Sequence, residues 1–398
     1  MTAWHLARGF RYAGVPCGIR PNGDPDRRDL ALIVSDRPAA AAGVFTQNRV
    51  VAAPVRLCRE RLPADDIRGI VICSGNANAC TGQRGLDDAR CMTELAAAVV
   101  GCRPEQLLVA STGVIGRHLP MDRIEKGIRL AAGQLDASAA ALDRAAHAIL
   151  TTDTRIKVST RLVAVGGQEV RLTGLAKGAA MIGPNLATML AFVLTDAAAA
   201  PADLAALAAR AADQSFNCIS VEGHTSTNDT LLLLANGDGP RLEGDGLARL
   251  GSAVTAVCTD LARAIAADAE GAAHLITIDV EGLRDDAEAR KVARAVADSA
   301  LVKTAIFGAD PNWGRIISAA GYAGVDFEEE QVSLWLGDLL LYQAGTPQPF
   351  DPAIAAAYLK NNREVHLRLR FPLGPGRCTF WTCDLTYEYI KLNAEYTT

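Results

Sequence analysis

Aromatic residues make up only 5% of this 398-residue chain, and there are just six histidines. No two histidines fall into an H-E-x-x-H or similar pair, so no motif-borne metal site is expected. Ten cysteines are present, but they are scattered and none forms a C-x-x-C. That spacing argues against a zinc ribbon or a disulfide framework. The cysteines read instead as reduced thiols acting as small apolar side chains in a cytoplasmic protein. No run of about 18 apolar residues occurs, so no membrane-spanning helix is expected. The N-terminus lacks the continuous apolar stretch of a secretory signal. The net charge of −5 and pI near 5.8 argue against a nucleic-acid-binding surface.

The composition, 49% hydrophobic and 21% charged, is that of a globular enzyme. The length suits two lobes or one large α/β unit. Strand-like and helix-like patterns alternate. Early strands are expected at 29–35 and 42–46, buried strands at 69–75 and 107–113, and a helix over 86–100. One long helix is expected over 121–150, opened by Pro120. The runs 158–165 and 169–175 flank Gly166-Gly167, a hairpin signal. Strands at 189–194, 230–235 and 275–280 alternate with helices at 202–214, 246–269 and 285–297. Further strands are expected at 332–336, 364–371 and 378–385. This mix favours α/β layers over a simple parallel array. The alanine-rich window 197–212 reads as a surface helix.

One stretch carries more than structure. Lys177 to Leu190 is a Gly/Pro-containing loop that runs through Asn185-Leu186-Ala187-Thr188 into an apolar run. If the bond before Thr188 were cut, one residue would carry both a hydroxyl and a free α-amine. That is a nucleophile with a built-in base. The plain alternative is a β-former at the start of a strand.

Four other turns concentrate polar groups. Ser111-Thr112-Gly113 could offer a hydroxyl and a backbone N–H to one oxyanion, or be an ordinary turn. Thr225-Ser-Thr-Asn-Asp-Thr230 reads as a capped turn supporting a site from behind. Glu270, in Asp268-Ala-Glu270-Gly271, could pair with a substrate ammonium or sit on the surface. In Gly308-Ala-Asp-Pro-Asn-Trp-Gly-Arg315, Asp310-Pro-Asn reads as a turn with Arg315 in an ion pair.

Together these stretches resemble the ornithine acetyltransferases, or glutamate N-acetyltransferases, of arginine biosynthesis. The resemblance is carried by Gln47-Asn-Arg, Ala52-Ala-Pro-Val and Ser74-Gly-Asn-Ala-Asn-Ala. It continues through Ser111-Thr-Gly-Val-Ile-Gly, Thr151-Thr-Asp-Thr, Ala176-Lys-Gly and Pro184-Asn-Leu-Ala-Thr-Met-Leu. The polar turn 225–230, the 308–315 motif and the terminal Asn393-Ala-Glu-Tyr-Thr-Thr398 complete it. It spans essentially the whole chain. This sequence departs from the family pattern at His224, at Ala273-His274 and at Gly183.

The resemblance implies a layered αββα-type fold of the N-terminal-nucleophile kind. It implies self-cleavage between Ala187 and Thr188 into an α chain (1–187) and a β chain (188–398) that stay together, as two αβ pairs. Thr188 would be the nucleophile, and Thr112 and Gly113 the oxyanion hole. Thr151, Lys177, Thr188, Glu270, Asn393 and Thr398 would bind substrate. The implied reaction moves an acetyl group from N-acetylornithine to glutamate, with no cofactor and with acetyl-CoA as a further candidate donor. No nucleic-acid or membrane partner is implied. An aminopeptidase or amidase on the same scaffold, or an inactive small-molecule-binding relative, are the alternatives.

Overall fold

The leucine-, valine- and isoleucine-rich runs of the first 235 residues assemble into one eight-stranded sheet. The computed structural model describes residues 4–20, 24, 26–165, 167–183 and 189–395. The sheet's strands are β1 (Phe10–Val15), β2 (Leu30–Phe45), β3 (Ala64–Asn76), β4 (Leu107–Val114), β5 (Lys157–Val165), β6 (Gln168–Lys177), β7 (Leu190–Thr195) and β8 (Thr230–Ala235). Their order is β4-β3-β2-β8-β7-β6-β5, with β1 also paired to β2. The β3–β4 and β7–β8 pairs are parallel, and the others are antiparallel.

Every residue of β7 and β8 is buried. Such unbroken apolar runs arise where a strand is covered on both faces. Leu190, Phe192 and Leu194 enter one core, while Ala191 and Val193 enter the other. Helices α1 (Ala53–Arg61), α2 (Gly82–Val100), α3 (Met121–Ala132) and α4 (Ala139–Ala148) cover the first face. Helices α5 (Pro201–Gln214) and α6 (Gly244–Ala267) cover the second. By length and composition α6 could span a membrane. Its Leu250, Val254, Val257, Leu261 and Ile265 row instead lies in the core shared with β5 and β6.

A second sheet has six strands: β9 (Leu275–Leu283), β10 (Ser333–Leu336), β11 (Leu339–Gln343), β12 (Thr346–Pro347), β13 (Glu364–Arg370) and β14 (Gly376–Cys383). Their order is β12-β11-β10-β13-β9-β14. Along β13, Val365, Leu367 and Leu369 are buried while Glu364, His366, Arg368 and Arg370 are exposed. That alternation marks a sheet with one wet face. The inner face packs with α7 (Asp286–Asp298), α8 (Ala300–Phe307) and α9 (Trp313–Gly321). Asp285, Ser299 and Asn312 cap these three helices through side-chain bonds to backbone N–H groups. Helices α10 (Pro352–Asn361) and α11 (Tyr387–Glu395) complete the chain. The layered α/β class expected from the sequence is what the structure shows.

Some expected boundaries differ. The two early strands are one sixteen-residue strand, β2, whose register with β3 shifts between Val34 and Ala39. The helix expected over 121–150 is two helices, because the chain turns at 133–138 and Ser138 caps a new start. The 308–315 motif is a helix start: the Asn312 side chain accepts the Arg315 N–H, and Trp313 stacks on Tyr342. Arg315 donates to the Leu301 carbonyl at 2.9 Å and makes no ion pair among the described residues. The 197–212 helix is amphipathic, burying Leu204, Ala208, Ala211 and Ala212 against the sheet.

Candidate active site

The sheet topology gathers distant segments at one edge. β6 ends at Lys177, whose ladder partner is Leu190, and Leu190 in turn faces Thr230. The strand ends therefore bring Lys177, Met189 and the Asn228-Asp229 pair to the same level. Ala187, Thr188 and Thr398 lie outside the described residues.

Thr112 and Lys177 meet there. The buried Lys177 ammonium donates to Thr112 Oγ1 at 3.3 Å. A hydroxyl that accepts in this way keeps its own proton free to donate elsewhere. Gly113 follows at φ +129°, and a Cβ there would lie 2.3 Å from the Gly75 carbonyl carbon. Only glycine allows β4 to approach β3 so closely with this backbone. The turn expected at Ser111-Thr112-Gly113 is instead the end of β4, paired to β3, and Asn228 braces both strand ends, donating through Nδ2 to the carbonyls of Ala77 (2.6 Å) and Ser111 (2.8 Å). Asp229 Oδ1 accepts the Met189 N–H at 3.1 Å. Burial pushes this carboxyl well above the ordinary range, against the Met189 and Ser226 hydrogen bonds and the Lys177 charge. The 225–230 turn thus ties the Thr112 end of β4 to the residue that follows Thr188.

Behind Lys177 is a charge network that spacing did not reveal. Asp153 Oδ1 accepts from Lys157 Nζ and from the Gly178 N–H, both at 2.7 Å. Its Oδ2 accepts the Thr151 N–H at 3.0 Å. Lys157 also reaches Asp268 Oδ2 at 2.7 Å. Burial pushes the Asp153 carboxyl up, but Lys177, Lys157 and the Gly178 N–H outweigh it and hold it well below the usual carboxylate range. Burial draws the Lys177 ammonium down, with Asp153 opposing. Thr151 and Lys177 are so joined through Asp153, a member of the Thr151-Thr-Asp-Thr motif whose acid was not singled out.

Glu270 and Asn393 form the second cluster. The Glu270 N–H donates to Ala179 O at 2.9 Å, and Asn393 Nδ2 donates to Glu270 Oε2 at 3.1 Å. Nearby, Glu222 Oε1 accepts the Ile182 N–H, and its Oε2 has no partner among the described residues. Burial raises the Glu222 carboxyl to about 7; Ile182 and Lys303 oppose the rise, and Glu270 and Asp298 add to it. Against an unfolded value near 4.3, the folded state carries a penalty that grows as pH rises from about 4.5 through 7. Glu222→Gln should therefore raise thermal stability over the parent more at pH 8 than at pH 5. A gain that shrinks with pH in paired melts would contradict this.

The family departures have local reasons. His274 bonds Asp384 Oδ2 at 2.7 Å and Leu359 O at 3.0 Å, a tie between β9, β14 and α10. At Gly183 a Cβ would lie 2.4 Å from the Gly223 carbonyl carbon, so a larger residue does not fit this packing. His224 is exposed.

The ArgJ family profile matches residues 11–398. Arginine biosynthesis bifunctional protein ArgJ 1 from a Nostoc species is 47% identical over 98% of this chain and 97% of its own. The ArgJ protein of Rhodopirellula baltica is 44% identical over 100% of this chain and 97% of its own. A crystal structure of ArgJ from Bacillus halodurans aligns with TM-score 0.50 and 39% identity, covering 52% of this chain and 98% of that one.

Proposed function

Because the chain belongs to the ArgJ family, we propose that the edge holding Lys177, Thr112 and Glu270 is the site of its acetyl transfer. The enzyme works in arginine biosynthesis, moving acetyl from N-acetylornithine to glutamate. The observation that carries the site assignment is the Lys177–Thr112 contact, because it leaves a buried hydroxyl proton beside Gly113 at the end of β4 for an oxyanion.

In the precursor, Thr188 Oγ attacks the Ala187 carbonyl carbon. The acyl group moves from nitrogen to oxygen, which breaks the C–N bond and frees the Thr188 α-amine, and water then splits the ester, freeing Thr188 Oγ and the Ala187 carboxylate. Two features support a cut there. The Bacillus halodurans chain is about half as long as this one, as a separated product would be. Cutting also leaves the large sheet intact: β2 pairs with β8 and β6 with β7, so both halves are interleaved by hydrogen bonds. This is how chains 1–187 and 188–398 stay together, and two such pairs in the cytoplasm are the assembly we infer.

An α-amine has an ordinary pKa of about 7.7–8.0, close enough to neutral to serve as a base. It takes the proton from Thr188 Oγ, which attacks the acetyl carbon of N-acetylornithine. Thr112 O–H and Gly113 N–H hold the oxyanion. The amine returns the proton to the departing ornithine nitrogen, leaving acetyl-Thr188. Glutamate's amino group then attacks this ester, giving N-acetylglutamate in a ping-pong scheme. Lys177 takes the α-carboxylate common to both substrates, with Thr151 beside it. Glu270, oriented by Asn393, takes the ornithine side-chain ammonium, and Thr398 closes the site. No cofactor takes part, and acetyl-CoA is a second donor to the same threonine.

The test mixes purified protein with acetyl-labelled N-acetylornithine and glutamate, without CoA. Labelled N-acetylglutamate is the expected product. Release of labelled acetate alone, or cleavage of peptide substrates, would point to a hydrolase. Thr112→Val keeps the side-chain shape and removes the hydroxyl. It should lower kcat by roughly 10²–10³ with a much smaller change in KM. A change confined to KM would remove Thr112 from the oxyanion hole.

A further inference from the structure

One site must accept an ammonium in its first half-reaction and a carboxylate in its second. Glu270 answers the ammonium of ornithine. The side chain of glutamate carries the opposite charge at nearly the same length and needs a cation.

Lys303, on α8, is 4% exposed. Its Nζ donates to Thr382 Oγ1 at 2.8 Å and approaches Cys383 Sγ at 3.7 Å. It forms no ion pair among the described residues. An ammonium has three N–H donors, and a buried charge without a counter-ion is costly. A purely structural role, stitching α8 to the end of β14, would leave that cost standing.

The groups around Lys303 belong to the Glu270 cluster. Glu222 is within electrostatic reach of both Lys303 and Glu270, and Tyr389 of both Glu222 and Glu270. Asn393, one turn beyond Tyr389 on α11, holds Glu270 and bonds the Tyr389 carbonyl. Glu222 Oε2 is buried with no partner among the described residues, and it is not bonded to the Lys303 ammonium. Two opposite, incompletely satisfied groups that do not close on each other suit a ligand that comes between them.

We propose that Lys303 is the cation that receives the side-chain carboxylate of the acceptor glutamate, opposite the Glu222 and Glu270 carboxyls that receive the ammonium of the ornithine half. The assignment rests on the acetyl-transfer reading above. One pocket thereby serves both substrates, with a different wall engaged in each half-reaction. Asp384 and Asp298 supply nearby negative charge: the first bonds His274, and the second bonds Ser220 Oγ and Arg294 Nε. Neither is paired with Lys303.

The test compares glutamate with glutamine, its uncharged isostere, as acceptor from acetyl-enzyme preloaded with N-acetylornithine. The parent protein should favour glutamate by about tenfold to a hundredfold in kcat/KM, as a charged hydrogen bond implies. In Lys303→Met the preference should fall to within about threefold, and glutamate transfer should fall more than acetyl-enzyme formation. Thr382→Val keeps the lysine, removes its hydroxyl partner and should lower the same ratio by a smaller factor. If Lys303→Met fails to mature, Thr382→Val decides. An undiminished glutamate preference in whichever variant matures overturns the role of Lys303 and leaves the transferase reading intact. A parent protein that forms no acetyl-enzyme from N-acetylornithine overturns both.

Discussion

Thr188→Ala should remain one uncut 398-residue chain with no measurable acetyl transfer. The substitution removes the hydroxyl proposed to attack the Ala187 carbonyl, so the α-amine that would serve as base is never released. Both functions vanish together. Loss of a nucleophile that works as a unit with its base costs on the order of 10⁴–10⁶ in kcat. Intact-mass measurement reads the first outcome, and labelled acetyl transfer reads the second. Thr188→Ser, which keeps a hydroxyl and an amine, should still cut and retain partial activity. A cut Thr188→Ala protein would place the scissile bond or its nucleophile elsewhere.

Lys177→Met should damage both activity and stability. In the folded protein two buried lysines, 157 and 177, face two buried aspartates, 153 and 268. Arg155 is a partial helper, 3.5 Å from Asp268 and 56% exposed. Without the Lys177 charge, Asp153 must rely on Lys157, which Asp268 already shares. Removing one partner from a buried ionic network costs about 3–5 kcal/mol. Thermal unfolding should register that loss, and Asp153→Asn in the same chain should recover part of it, because coupled sites are not additive. In the active site, the Thr112 hydroxyl loses its donor and the substrates lose the cation for their α-carboxylates. KM for N-acetylornithine and for glutamate should rise together by about tenfold or more, with a fall in kcat. Additive damage in the double variant would show that Lys177 and Asp153 act independently.

Much of the fold was legible where local pattern and burial coincide. The 157–177 hairpin, the all-apolar strands at 190–195 and 230–235, and the helices flanking 244–298 stand where periodicity places them. The failures have physical causes. Ser35-Asp36-Arg37-Pro38 interrupts the apolar pattern of β2, but the strand runs on through a shift of register. Helix α11 buries no residue, and its apolar Tyr387, Ile390 and Leu392 are exposed, so pattern and burial do not coincide there. At the site, Thr112 and Lys177 were named from motifs and do meet. Asp153, Asp229, Glu222 and Lys303 were not named, because their roles arise from pairings with Lys177, Met189, Ile182 and Thr382, 24 to 79 residues apart, that only the fold brings together.

The interleaving of β7 between β6 and β8 makes the proposed cut unequal in its two products. On one side, a single residue separates Thr188 from a strand hydrogen-bonded along both edges. Met189 is pinned as well, its N–H by Asp229 and its carbonyl by the Thr230 N–H. The new amino end would therefore follow directly on a residue fixed at both its N–H and its carbonyl. On the other side, the chain is last anchored where Gly183 packs against Gly223. Four residues, 184–187, then lead to the cut, a contour length of at most about 14 Å at roughly 3.3–3.6 Å each. The nucleophile is thus tethered one residue from the sheet, and the new carboxyl end four residues from its last packed neighbour.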